Sequence, residues 1–190
     1  MITAILLAAG ESKRIPTENK LIKRFKDKPL INHILNSLIK SKVNKIIIVL
    51  GHEHLRLKKI ILKSKKITLQ INKNYKKGIS SSIKYGLKKI NKKNKGFMIV
   101  QSDMPFIKSS HINKIYNSLL KKDNLVHILK YKNKVGNPIG FNISVLNKFK
   151  KINGDIGAKY MVKRLKKDTN FIRVNSNKIF KDFDLKKDFN

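Results

Sequence analysis

The chain has 190 residues, 41% of them hydrophobic, and a formal charge of +34. That length suits one domain with a full core, and the apolar share excludes a disordered polyelectrolyte. It has no cysteine, which excludes disulfides, thiolate catalysis and zinc–thiolate sites, and no apolar run reaches the ~18 residues of a membrane span.

Ile2 to Ala8, Lys45 to Leu50, Ile67 to Ile71 and Phe97 to Val100 are short apolar runs rich in Ile and Val. They predict parallel strands covered on both faces. Between them, Leu30, Ile31, Ile34, Leu35, Leu38 and Ile39 recur at helical spacing. So do Ile79, Ile83, Leu87 and Ile90, and then Ile112, Ile115, Tyr116, Leu119 and Leu120. Regular alternation of strand and helix predicts an open, mostly parallel α/β sheet with helices on both faces. After Val126 the pattern loosens to two or three further strands, a helix from about Asp155 to Lys166 and a short tail. Met1 leads at once into an apolar run with no basic segment before it. No secretory signal is expected from that start, and the cytoplasm is the expected compartment.

In such sheets ligands sit beyond the carboxyl ends of the strands, which selects the loops at 8–20, 51–54, 72–82 and 101–106. In the first, which Leu7 leads into as part of the candidate nucleotide site, Ala8, Ala9 and Gly10 present little or no side chain, so backbone N–H groups can approach a phosphate. Ser12 adds a hydroxyl, and Arg14 and Lys20 add charge. The loop has neither GxGxxG nor GxxxxGK[ST], and by itself it also fits an ordinary small-residue turn. Gly51 opens the second loop, where His52 and His54 lie.

Gly78, Ser80, Ser81 and Ser82 stand at the start of a helix. Free N–H groups and hydroxyls there read a base or a phosphate, but serines also simply start helices. Asp103, followed by Met104 and Pro105, ends the fourth apolar run. A carboxylate in that position suits Mg²⁺, which takes one or two carboxylates plus phosphate oxygens, or it caps the next helix. Asp182, Asp184 and Asp188 cluster near the end of a chain with only 11 acidic residues. They supply either a second carboxylate for a metal or a solvated tail.

These pieces occur in the order LAAG-x-S-x-R with a following Lys, G-x-S-S-S, D-x-P, G-x-P, GD-x-GA and an Asp-rich end. In that order the chain resembles the MobA-like nucleotidyltransferases, and among them the molybdenum cofactor cytidylyltransferases. The resemblance spans nearly the whole chain. It implies a single Rossmann-like three-layer domain of nucleotidyltransferase type. Residues 1–125 would form the nucleotide-binding part, and 126–190 the acceptor-binding part and metal-ligand tail. It implies transfer of CMP from CTP to the terminal phosphate of molybdopterin, with Mg²⁺ as cofactor and pyrophosphate released. Molybdenum hydroxylases would receive the product.

By position, the 8–14 loop with Arg14 and Lys20 would hold the triphosphate, and Ser80 to Ser82 would lie near base and ribose. Asp103 would bind the metal with Asp182. Asn137, Pro138, Gly154, Asp155 and Gly157 would face the acceptor. Relatives that transfer guanylyl groups carry Gly where this chain has Ala9, so Ala9 points to cytosine.

Three positions depart from the pattern. Ile15-Pro16 replaces Met-Gly and stiffens the loop. Asn137 replaces His and cannot titrate. Leu185-Lys186 replaces Thr-Pro and loses a hydroxyl. The nucleophile would be a phosphate oxygen that is ionised at pH 7, so no general base is required. Catalysis would rest on positioning and charge neutralisation.

The competing class is a basic nucleic-acid-binding module. Arg accounts for only five of the 45 basic residues, and the lysines are spread evenly along the chain. Nucleic-acid readers lean on Arg and interleaved aromatics, so drift toward A/T-rich codons explains the charge better. No specific nucleic acid and no membrane partner is expected.

Overall fold

The computed structural model describes residues 1–12 and 18–189. Its strands are β1 (Ile2–Ala8), β2 (Arg24–Phe25), β3 (Lys28–Pro29), β4 (Lys45–Leu50), β5 (Ile67–Ile71), β6 (Gly96–Gln101), β7 (Val126–Tyr131), β8 (Lys134–Asn142) and β9 (Thr169–Arg173). The helices are α1 (Leu30–Ile39), α2 (His54–Ile60), α3 (Ile79–Leu87), α4 (Ser109–Lys121) and α5 (Ala158–Arg164). Seven strands form one sheet in the order β5-β4-β1-β6-β8-β7-β9, and β2 and β3 form a small hairpin. Pairing is parallel from β5 to β6 and again between β7 and β9. It is antiparallel on both sides of β8.

Every side chain of β1 is buried. Successive residues of a strand point to opposite faces, so this one strand feeds two cores. Ile2, Ala4, Leu6 and Ala8 join a cluster with α1 and α4, whereas Ile5 and Leu7 join α3 and α5 on the other side. Burial of each such Ile or Leu contributes about 1.5–3 kcal/mol. This explains why the first runs read as nearly unbroken apolar segments. The expected three-layer arrangement is the observed one.

Two elements differ from the expectation. Helix α2 buries only Leu57, too little apolar signal to be seen by periodicity. The turn at 143–151, Ile143–Lys151, is a 3-10 segment that packs Val145 and Phe149 against the sheet. Among the described residues, no helix is long and apolar enough to cross a membrane.

Candidate active site

A cleft of about 500 Å³ opens at the carboxyl ends of β1 and β6. Its floor is the exit of β1. Leu7, Ala9, Gly10 and Ser12 line it, while Ala8 turns into the core. The Ser102 hydroxyl donates to the Leu7 carbonyl at 2.7 Å and fastens the exits of the two strands together. The Ala9 carbonyl accepts from the His52 N–H at 3.2 Å.

Gly51 lies under this contact. A β-carbon there would come within 2.8 Å of the Ala9 carbonyl oxygen and 2.7 Å of the Tyr75 β-carbon. Gly51 therefore does its work by close approach, beneath the cleft rather than in its wall. His52 and His54 are also outside the wall.

The loop from β1 folds back on itself. The Lys20 N–H donates to the Ser12 hydroxyl at 3.2 Å, and that hydroxyl lies 3.4 Å from Asn19 Oδ1. Leu21 N–H donates to the same Asn19 oxygen at 3.1 Å. This carries the Lys20 side chain across the cleft. Its Nζ donates to Asp103 Oδ2 at 2.6 Å and to Asp184 Oδ1 at 2.7 Å. Arg14, Ile15 and Pro16 lie outside the described residues.

Asp103 stands where the buried β6 run ends, as its sequence position predicts. Asp184 arrives by a different route. Phe183 is almost wholly buried, between the rings of Phe25 and Phe106 at 4.6 and 5.8 Å. Its N–H donates to the Asp103 carbonyl at 3.0 Å. The Asp188 carboxylate then accepts from the N–H groups of Asp184 and Leu185 at 3.0 and 2.8 Å, closing a turn. The anchor and the turn together aim Asp184 into the cleft. Asp182 is exposed, and the cleft wall does not include it. The structure thus brings Asp184 to Asp103 in the place where the family pattern suggested Asp182. The spacing of three nearby carboxylates could not reveal which one the Phe183 anchor would select.

The electrostatics follow from burial. Desolvation pushes the Asp103 carboxyl above the usual carboxylate range. The Lys20 ammonium opposes this, and the Asp184 charge adds to it. Burial would lower Lys20, but Asp103 and Asp184 together outweigh it and hold the ammonium above its ordinary value. Asp103 Oδ1 is buried and has no hydrogen-bond partner among the described residues. Glu11 and Asp155 also line the cleft, so among the described residues four of the chain's 11 acidic residues gather around it, together with Lys20 and Lys76.

Gly78 closes the far side with φ +92°, and a β-carbon there would meet the Gly154 carbonyl group at 2.4 Å. Gly78 takes the N-cap position of α3, so no serine does. The three serines then part company. Ser82 lines the main cleft, while Ser80 and Ser81 line a neighbouring cleft with Gly154. Ser81 is engaged by Asn72 and by the Asn74 carbonyl, both at 2.8 Å.

Asp155 borders the main cleft, and Gly157 packs near Ile79 at the start of α3. Asn137 is buried within β8, and neither it nor Pro138 lines either cleft. Tyr75 and Lys76 are wall residues that sequence reasoning missed. Their only signal was their place just before Gly78 in a crevice loop.

The pattern of the MobA-like NTP transferase domain matches residues 4–169 of the chain. The bifunctional protein GlmU of Thermosipho africanus is 28% identical over 179 residues, covering 94% of this chain and 38% of GlmU. The chain therefore spans under two-fifths of the length of that curated relative. Among solved structures, Rv0371c from Mycobacterium tuberculosis superposes with a TM-score of 0.85 at 18% identity, covering 99% of this chain and 94% of that one. The manganese complex of Rv0371c superposes with a TM-score of 0.76 at 18% identity, over 92% and 89% of the two chains. The 4-diphosphocytidyl-2C-methyl-D-erythritol synthase of Anaerococcus prevotii gives 0.77 at 17% identity, over 100% and 92%.

Proposed function

We propose that this chain, which belongs to the MobA-like NTP transferase domain family, moves CMP from CTP to the terminal phosphate of a molybdopterin-type acceptor. The observation that carries the transfer chemistry is the meeting of Lys20, Asp103 and Asp184 at the mouth of β1 and β6. An acceptor phosphate oxygen attacks the α-phosphorus of the nucleotide, the bond to the β-phosphate oxygen breaks, and pyrophosphate leaves. The attacking oxygen is already ionised near pH 7, and no histidine is found in the cleft wall among the described residues.

The donor set fits a hard divalent cation. Two carboxylates converge there, one with a spare buried oxygen, and Mg²⁺ typically takes one or two carboxylates plus phosphate oxygens. Among the described residues no group of three or more acidic or histidine ligands forms, so the remaining ligands would come from the nucleotide and water. A bound divalent cation would supply neutralisation of the phosphate charge. The manganese complex of Rv0371c supports the same reading.

Around that site, the exit of β1 from Leu7 to Ser12 would cradle the phosphates with backbone N–H groups, and Arg14 would add charge. Lys20 would hold and orient the triphosphate. Ser82, Gly78 and Tyr75 would border the nucleoside, with Ala9 favouring cytosine. Asp155 faces the remaining space, where the acceptor would sit. Molybdenum hydroxylases would take the product. A nucleic-acid role is disfavoured, because Arg is only five of the 45 basic residues and nucleic-acid readers lean on Arg for bidentate contacts.

The test offers each of the four NTPs with molybdenum-loaded molybdopterin and Mg²⁺, and measures pyrophosphate. CTP is expected to be fastest. If GTP outperforms it, the reading of Ala9 fails. If no nucleotide gives pyrophosphate with this acceptor, the acceptor assignment fails.

A further inference from the structure

Lys20 fills the space between the two carboxylates that are proposed to hold the metal. Its Nζ contacts Asp103 Oδ2 and Asp184 Oδ1 at 2.6 and 2.7 Å, and the lysine and Asp103 side chains are only 15% and 16% exposed. A divalent cation held by both carboxylates at about 2.1 Å would occupy the space between them that the ammonium now fills, so the two compete for it. The same ammonium sits on the loop that would cradle the triphosphate. It therefore has two destinations, the carboxylates and the phosphates.

We propose that Lys20 is a resident counter-ion that keeps free divalent cation out of the Asp103–Asp184 pair until a polyphosphate draws the lysine away. This rests on the nucleotidyltransferase reading of the site. Two observations make the exchange physical. The pair is partly buried, so removing Lys20 with nothing in its place would leave two like charges facing each other in a poorly solvated site. Asp103 Oδ1 is already unpartnered, so the incoming ion gains a ligand that the lysine does not use.

Lys20 thereby couples two binding events. Free metal must displace an ammonium at a cost, whereas metal arriving with a triphosphate gives that ammonium a new anion. The coupling is reciprocal by thermodynamic linkage, so the lysine makes polyphosphate binding depend on metal to the same degree.

The test measures Mn²⁺ binding by electron paramagnetic resonance, with no nucleotide and then with inorganic tripolyphosphate. Wild type, Lys20→Met, Lys20→Gln and Lys20→Arg are compared after a circular dichroism check of folding. Without polyphosphate, the Met and Gln variants should bind Mn²⁺ at least about tenfold more tightly than wild type, and Arg should not. With tripolyphosphate the order should invert, wild type binding Mn²⁺ most tightly.

Unchanged or weaker free-Mn²⁺ binding in both neutral variants overturns the proposal. A separate arm tests the site itself. If Asp103→Asn and Asp184→Asn in the Lys20→Met background leave Mn²⁺ binding unaltered, the metal-site reading has failed rather than the exchange.

Discussion

Phe183 donates its backbone N–H to the carbonyl of Asp103 at 3.0 Å, so the two segments that carry the cleft carboxylates are joined by one backbone bond. The side chain of Phe183 makes that junction firm, packing edge-on against Phe25 and Phe189 at 4.6 and 5.3 Å. Phe183→Ala should cost about 3–5 kcal/mol, the usual range for a buried Phe. It should also reduce pyrophosphate release more than an equally destabilising substitution on the far side of the sheet. Chemical denaturation combined with activity at a temperature where both variants are folded checks this. Equal activities would mean that the anchor does not aim Asp184.

Asp184→Ala should reduce turnover at least tenfold further than Asp182→Ala, because only Asp184 reaches Lys20 and the cleft; such a loss is about 1.4 kcal/mol of transition-state stabilisation. Steady-state kinetics on the two variants separates them. A larger loss at Asp182 would reverse the assignment.

Asp103→Asn should abolish most activity, by about 10²-fold or more as for loss of a key electrostatic group. Burial raises the Asp103 carboxyl, so its native form binds a proton more tightly than the unfolded chain does. The cost of ionising it therefore grows as pH rises from the ordinary carboxylate value through the raised native one. In a pH series of denaturation midpoints, wild type should lose stability relative to Asp103→Asn across that window.

The acid limb of the pH–rate profile should lie above the ordinary carboxylate range of about 3.9, since protonated Asp103 cannot serve a cation. Asp188 behaves in the opposite sense. Burial would raise it, but the N–H groups of Leu185 and Asp184 and the Lys181 ammonium hold it below its ordinary value. Its stabilising contribution is present above the unfolded carboxylate value and is lost as pH falls through the lower native one. Asp188→Asn should flatten that acid-side loss in a pH series of denaturation midpoints.

Gly78→Ala should disrupt the cleft, whereas Gly10→Ala should fold normally. A methyl at Gly78 would overlap the Gly154 carbonyl at an already left-handed φ, but one at Gly10 meets nothing within 4 Å. The first should lose more than about 1 kcal/mol, and the second should raise KM for nucleotide with little change in denaturation midpoint. An unaltered melting curve for Gly78→Ala would contradict the tight contact.

Strands β1, β4 and β6 were legible in the sequence because Ile and Val runs declare themselves when sheets are covered, whereas β5, also expected to be covered on both faces, lies at the sheet edge and is only half-buried with Ile71 exposed. Asp103 was legible for the same reason, since it stands where such a run stops. Helix α2 was not, because only Leu57 of its residues is buried. Asp184 was hidden among three carboxylates, and its orientation depends on Phe183 meeting Phe25, a contact no local pattern contains. The serines at 80–82 read as one feature but divide between two clefts, because helical turn geometry points neighbours in different directions.

The bond from Lys20 to Asp184 spans 164 residues of chain, and the one to Asp103 spans 83. Contacts at such separation incur their loop-closure entropy before they return any energy, so they form late when a chain folds. The carboxylates proposed to hold a cation would thus be assembled only once the β1 exit, the β6 exit and the C-terminal segment have met. During refolding, metal capture would report completion of the whole architecture rather than of any one element.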